Sequence, residues 1–359
     1  MSTLALKRRR DIWRQKWQYL AVLVTVVLGV AMFAGTFNAY LNLGESLEGT
    51  YDRLRMADVT VSGADDEFSS EVAAIEGVAT VVERRQADVP FEIGSFTLVG
   101  RVIGHPADGE PELNRIDVDE GSGLDPANPD AVVLETHAAG DFDVAVGDTL
   151  TIVGREVTVV GIATSPEYLW PARDRQSIFT PPKSFAVVFA DETLLAGVES
   201  EAVVDQVLVR YEEGVAVADV DAAVEAAAQQ ADAADVELLV DQPSNATINL
   251  EIDALRTDAV ALPLLFLAAA GMAIYVVVTR LVFSQRSVIG TLRATGFSQR
   301  DMSRHFLFYG LGIGLVGAVV GALLGLLMAW GMTAIYTAIF GIPDLVANIH
   351  PPTIVVALL

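Results

Sequence analysis

The sequence predicts a multi-pass α-helical membrane protein with a large α+β extracytoplasmic domain inserted between its first and second spans (TM1 and TM2). Three observations lead there: three charge-free apolar runs, a strongly acidic block between the first two, and basic residues gathered beside the runs. Of the 359 residues 52% are hydrophobic, above the ~45–50% apolar usage of soluble proteins, and the mean hydropathy is +0.43.

Crossing a ~30 Å hydrocarbon core takes ~20 apolar residues in a helix. No charge occurs from Trp17 to Gly44, from Ala259 to Thr279 or from His305 to Pro343. Spans are therefore expected at 19–42 (TM1), 258–280 (TM2) and 305–340 (TM3). A fourth apolar run opens near Pro352, so 352–359 reads as the start of a TM4 cut off at Leu359, and the chain as a fragment. The first run is no signal peptide, because Leu20 to Leu41 exceeds the ~7–15 apolar residues of a signal core.

Charge sets the orientation, since Lys and Arg concentrate on cytoplasmic loops close to span ends. Residues 1–42 carry six basic residues and one acid, a net of +5, whereas 43–257 hold 12 basic and 43 acidic, a net of −31. Between TM2 and TM3 stand Arg280, Arg286, Arg293, Arg300 and Arg304 against Asp301 alone. The expected layout is a cytoplasmic N-terminus at 1–18, an outer domain at 43–257, a cytoplasmic loop at 281–304 and an outer loop at 341–351. Localisation follows as the plasma or inner cell membrane, with lipids as surroundings.

Composition excludes several functions. A net charge of −24 argues against nucleic acid, whose phosphates need clustered Lys and Arg. The absence of Cys removes thiolate metal sites, disulfides and Cys nucleophiles. His105, His137, His305 and His350 are scattered, so no catalytic or metal constellation is expected, and no cofactor. Asp117, Asp119 and Glu120 precede Gly121, but Gly comes one place early and Asn128 stands where a calcium loop needs Glu. The acid excess with only three lysines would suit a saline exterior. Asn245-Ala246-Thr247 is a glycosylation acceptor by its letters.

Within the outer block, Leu43, Leu47, Tyr51 and Leu54 continue at helical spacing out of TM1, as a stalk. Ala57–Ser62, Val78–Glu83 and Phe96–Ile103 read as strands. Residues 146–161 alternate on both sides of Gly154-Arg155 and predict a hairpin turning there. Gln206–Tyr211, Ala216–Ala234 and Val236–Val240 read as strand, helix and strand, a βαβ unit.

Two glycine-bearing segments follow. Gly312, Gly314 and Gly317 match the letters of a dinucleotide fingerprint, but they lie inside TM3, with no strand before them. There Gly310, Gly314, Gly317, Gly321 and Gly325 instead make small-residue ridges for helix packing. The second segment, Ser284 to Asp301, is short and amphipathic: Val288, Ile289 and Leu292 offer an apolar face, and Arg286, Arg293 and Arg300 face water, phosphate or an acidic partner.

These residues resemble a family, the FtsX-like and MacB-type ABC-transporter permeases, which includes lipoprotein-releasing permeases. The resemblance rests on Arg286-Ser287-Val288-Ile289-Gly290-Thr291-Leu292-Arg293-Ala294-Thr295-Gly296-Phe297, on Asp11-Ile12-Trp13-Arg14, and on Tyr51 to Val59. Val146-Gly147-Asp148-Thr149-Leu150 and Val160-Gly161-Ile162-Ala163 followed by Ser165-Pro166-Glu167-Tyr168 add to it. Members commonly have Glu where Ser287 stands.

The resemblance implies a MacB-like outer domain, a chain that is the N-terminal module of a longer two-module permease, and a second permease module or subunit as partner. It further implies that a cytoplasmic ABC ATPase docks on a coupling helix built from Gln285, Arg286, Val288, Ile289, Gly290, Leu292, Arg293, Gly296 and Phe297. The chain has no Gly-x-x-x-x-Gly-Lys-Ser/Thr loop and so is not itself an ATPase. The function implied is that of a permease subunit, carrying ATP-driven motion outward to export or extract a lipid, lipoprotein, peptide or drug. The alternatives are a transmembrane regulator of an outer hydrolase on the same scaffold, and a passive membrane-anchored binding domain.

Overall fold

A computed structural model of the protein describes residues 16–358 apart from 65–66, 107–109, 126, 176–179, 199–201, 295 and 297. Asp11 to Arg14, Phe297 and Leu359 therefore lie outside the described residues, as does most of the N-terminal segment 1–18. In chain order the elements are α1 (Lys16–Leu54), β1 (Val59–Ser62), α2 (Phe68–Ala73), β2 (Val78–Ile93), β3 (Phe96–His105), β4 (Asp117–Gly121), β5 (Ala131–Glu135), α3 (Thr136–Phe142), β6 (Thr149–Ile152), β7 (Arg155–Thr164) and β8 (Val187–Asp191). There follow β9 (Val203–Tyr211), α4 (Val217–Gln230), β10 (Asp235–Leu238), α5 (Pro243–Ser284), α6 (Arg286–Ala294), α7 (Gln299–Ile339) and α8 (Pro351–Leu358).

The chain forms two compact units. One is helical (Met1–Ser46, Glu251–Ile339, Leu345–Leu359), and the other holds the sheet (Leu47–Leu250, Phe340–Asp344). Residues 251–257, expected in the outer domain, thus fall in the helical unit, and 340–344, expected in TM3 and the loop after it, in the sheet unit.

In the sheet unit, strands β2, β3, β8, β5, β7 and β6 pair in a closed ring, because β6 bonds both β7 and the far end of β2. Closure leaves these strands no free edge. Alternate residues point inward, and Val89, Phe91, Leu134, Ile152, Val157 and Val188 fill the centre. β2 is longer than its first alternating run suggests, since its first half pairs β9 and its second half closes the ring. Beyond it the order continues β9, β1, β10. Both β9 and β10 run antiparallel to β1, so β9, α4 and β10 are a βαβ unit with β1 inserted between its strands. Val220, Val224 and Ala228 of α4, one turn apart, bury against Val59, Val61, Val207 and Val209.

The β6–β7 hairpin turns one residue earlier than its Gly-Arg letters suggest. Val153 and Gly154 occupy the turn with φ of +50° and +77°, and Ile152 faces Arg155. Both central residues of this tight turn need positive φ, which Arg155 does not adopt. Asn245 is not a free acceptor either. It is buried in α5, its amide donates to Leu239 O at 2.6 Å, and its oxygen accepts from Tyr51 Oη at 3.1 Å.

In the helical unit, α1, α5 and α7 each hold a stretch long and apolar enough to cross a membrane: Tyr19–Leu54, Pro243–Ser284 and Gly310–Ile339. Gly317, Gly321 and Gly325 of α7 lie on Val26, Val30 and Ala34 of α1. A Cβ on Gly321 would stand 2.7 Å from Val30 Cβ and 2.9 Å from Val27 O. Gly310 has only Ile274 at 3.6 Å, and Gly314 faces open space. The packing ridge is thus three of the five glycines, one turn apart.

Polar residues in and just after the apolar run have partners as well. Asn38, Asn42 and Ser46 of α1 are buried and accept from the backbone N–H groups of His350, Asn348 and Val346 at 3.2, 3.1 and 2.9 Å. Four helical residues advance about 6.0 Å and two extended residues about 6.6 Å, so the two ladders stay in register. His350 Nε2 adds a bond to Asn42 Oδ1 at 2.9 Å. This strap ties the segment before α8 to α1.

Gly321→Ala should push the α1–α7 contact apart and cost about 1–3 kcal/mol, as overpacking does, while Gly314→Ala leaves stability unchanged or raised. Thermal unfolding of the purified protein in lipid nanodiscs checks both.

Candidate functional site

Two places concentrate groups beyond what folding needs. The first is α6, joined to α5 with almost no loop: Gln285 N donates to Val282 O at 3.3 Å and Ile289 N to Gln285 O at 2.9 Å. Gly296, at φ +101°, follows its end. Arg286, Ser287, Gly290, Thr291, Arg293 and Ala294 are exposed, and a Cβ at Gly290 would meet nothing. The Arg286 guanidinium sits over the Phe283 ring at 5.8 Å. Ile289, expected on the docking face, is partly buried instead, packed with Tyr19, Val277, Val278, Val282 and Ile313. An apolar side chain on a half-exposed helix goes to whichever surface excludes water, and its own helices supply one. The side chains of Val288 and Leu292 lie outside the described ones.

The second place is a cleft in the sheet unit, of about 440 Å³, which no expectation from the sequence had singled out. Its floor follows from strand alternation. Val59, Val61, Val207 and Val209 face the hydrophobic side, so Ser62, Gln206 and Arg84, which lie opposite one another in neighbouring strands, face the other. Asp235 extends that row and Glu237 pairs with Thr60 in the next. The segment after β7, from Ser165 to Arg175, forms a wall.

Buried ion pairs hold the wall to the floor. Arg84 donates to both oxygens of Glu167, one at 2.7 Å, and to Gln206 Oε1 at 2.9 Å. Gln242 donates to Glu167 O at 2.7 Å. Arg101 makes a two-pronged pair with Asp88 at 2.7 and 3.1 Å and donates to Tyr168 Oη at 3.3 Å. Beside them His105 is buried, and burial, helped by the positive charge of Arg84, pushes its pKa down to about 4, so it is neutral at pH 7. Glu237 is the opposite case. Burial, then repulsion from Glu167, pushes its carboxyl up to about 7, with Asp235 adding and Arg175 and Arg101 opposing.

Ser165-Pro166-Glu167-Tyr168 was legible as a motif, but its partners Arg84 and Arg101 were not, because only the sheet register brings them to it. The one available signal was polar alternation in β1, Thr60 and Ser62 between valines. Asn38 and Asn42 in an apolar run, with Ser46 four residues on just past its end, are the corresponding signal for the strap.

A family model described as the MacB-like periplasmic core domain matches residues 20–227, and one described as the FtsX-like permease C-terminal matches 260–359. Among solved structures, the extracellular domain of the noncanonic ABC-type transporter YknZ from Gram-positive bacteria is 14% identical, with 48% of this chain and 83% of that one covered and a TM-score of 0.32. The periplasmic region of MacB from Actinobacillus actinomycetemcomitans is 10% identical, with 56% and 98% covered and a TM-score of 0.34. No curated protein matches the chain.

Arg84→Met leaves Glu167 charged and buried without its partner and should cost about 3–5 kcal/mol, most of it recovered in Arg84→Met/Glu167→Leu. Thermal unfolding of the full chain measures both. Glu237 folds more favourably protonated, so its contribution is complete below the unfolded carboxyl pKa and is lost as pH rises through about 7. Between pH 5 and 8 the chain should lose up to roughly 3 kcal/mol through this group. Glu237→Gln should flatten that part of the stability profile.

Proposed function

The chain belongs to the FtsX-like and MacB-type permease family, the permeases of ABC transporters, and on that premise we propose that it passes motion generated by a partner ATPase to its sheet unit. The observation that carries the reading is α6: nine residues, with Arg286 and Arg293 among its exposed ones, set between two long apolar helices. In this reading α1, α5 and α7 cross the membrane, residues 281–304 face the cytosol, and the acidic block 43–257 lies outside between the first two spans. A span of 19–42 then continues as one helix to Leu54, so a tilt at its inner end reaches the sheet unit's first residues without an intervening loop.

The ATPase surface is the exposed face Arg286, Gly290 and Arg293, with Gln285 and Gly296 setting the helix ends. Ile289 acts behind it, holding α6 to α5, α7 and Tyr19 so that a push on the helix becomes a push on the bundle. Hydrolysis comes from the partner, as the chain has no phosphate-binding Lys loop. Coupling requires an ATPase that binds two arrangements of this bundle unequally. A second permease module or subunit completes the transporter, which moves an exported or extracted substrate through or past the sheet unit.

Arg286→Glu/Arg293→Glu should reduce recovery of the ATPase with the purified permease at least tenfold while leaving the permease in the membrane. Ile289→Ala should instead cost about 1–3 kcal/mol of stability and leave ATPase recovery per folded permease unchanged. Undiminished recovery in the charge-reversed pair would overturn the assignment of this face.

A further inference from the structure

Transmission of motion uses the helices and leaves the charged cleft of the sheet unit without a task. Polar side chains on an open sheet face need only water, but here the Ser165–Arg175 segment covers them and leaves about 440 Å³ between. Such a lining suits a hydrophilic ligand, where apolar ligands need apolar walls.

Two groups on its rim are underused. Among the described residues Arg173 reaches only Asp88, at 3.5 Å, and Asp88 is already held through both oxygens by Arg101. Likewise no described donor bonds the Glu237 carboxylate, whose nearest cation, Arg175, stands 4.0 Å away. Arg175 itself donates to Val236 O at 3.1 Å, which fixes its guanidinium beside Glu237. A guanidinium and a carboxylate side by side at β10, 4.0 Å apart, present one receiver for an anion and one for a cation close enough together to take both groups of an α-amino-acid head. Thr60, Ser62 and Gln86 supply neutral donors and acceptors beneath.

We propose that this cleft binds the α-ammonium and α-carboxylate head of a free amino acid or of a ligand ending in one, with Arg175 and Arg173 receiving the carboxylate and Glu237 the ammonium. The site is independent of the role given to α6. With its carboxyl pushed up to about 7, Glu237 is ionised on the alkaline side of neutrality, where it attracts an ammonium.

The test is calorimetric titration of the full chain in nanodiscs with glycine, glutamine and arginine, and with the N-acetyl and carboxamide forms of each. At least one free amino acid should bind saturably, and either block should weaken it about tenfold or more, the usual worth of a charge-assisted hydrogen bond. Arg175→Gln should shrink the preference over the carboxamide, Arg173 remaining to receive the carboxylate, and keep that over the N-acetyl form, whereas Glu237→Gln should erase the preference over the N-acetyl form and keep that over the carboxamide. Both side chains lie on the cleft's rim, and thermal unfolding confirms that the variants fold. An amino-acid head carried on a larger ligand shows itself when glycerophosphoserine or γ-glutamylglycine, each keeping a free α-ammonium and α-carboxylate on one carbon, competes better than the free amino acid. No saturable binding up to roughly 10 mM, equal binding of free and blocked forms, or unchanged binding by both variants overturns the proposal.

Discussion

In hydrocarbon a peptide N–H or C=O has no water to pair with, and leaving one unsatisfied costs several kcal/mol. Helices α1, α5 and α7, the three long and apolar enough to cross a membrane, pair nearly all of their backbone within themselves, Pro263 of α5 alone having no N–H to give inside a helix. Outside any helix, the segment before α8, expected in the outer loop, gives its N–H groups at 346, 348 and 350 to Ser46, Asn42 and Asn38 of α1. Close packing follows from the same setting. Lipid is as apolar as leucine, so helices gain from backbone approach instead, which glycines at 317, 321 and 325 permit.

The sheet unit solves its own version of the problem. Ring closure through β6 pairs strand edges that would otherwise be open, and α2 and α4 cover one face of the outer strands. The other face stays polar, and Arg84 with Glu167 joins it to the wall above. A buried ion pair of this kind contributes little net stability but punishes loss of either partner, so it fixes where the wall sits. That fixed wall turns a hydrated sheet face into a cleft.

Much of the architecture is readable from the residues because its cause is local. Apolar length fixes the three candidate spans, and alternation locates most strands. The βαβ order is visible in Gln206 to Val240 because each element carries its own period. What depends on pairing is not visible: the insertion of β1 between β9 and β10, the closure by β6, and the meeting of Arg84 with Glu167, 83 residues apart. Asn245 shows the limit of a motif read by letters, since tertiary packing gives its amide to Leu239 and Tyr51. Ile289 shows the limit of amphipathic reading, which finds an apolar face but not which neighbour takes it.

The role given to α6 depends on α6 and the sheet unit lying on opposite sides of the membrane. The chain has no cysteine, so one introduced thiol reports its own surroundings. Cysteines at two exposed positions, Ser287 and Glu213, treated in intact cells with a membrane-impermeant maleimide, decide the matter. The account predicts labelling at position 213 without breaking the cells and at 287 only after the membrane is opened. Labelling of 287 in intact cells, or protection of 213, would contradict it.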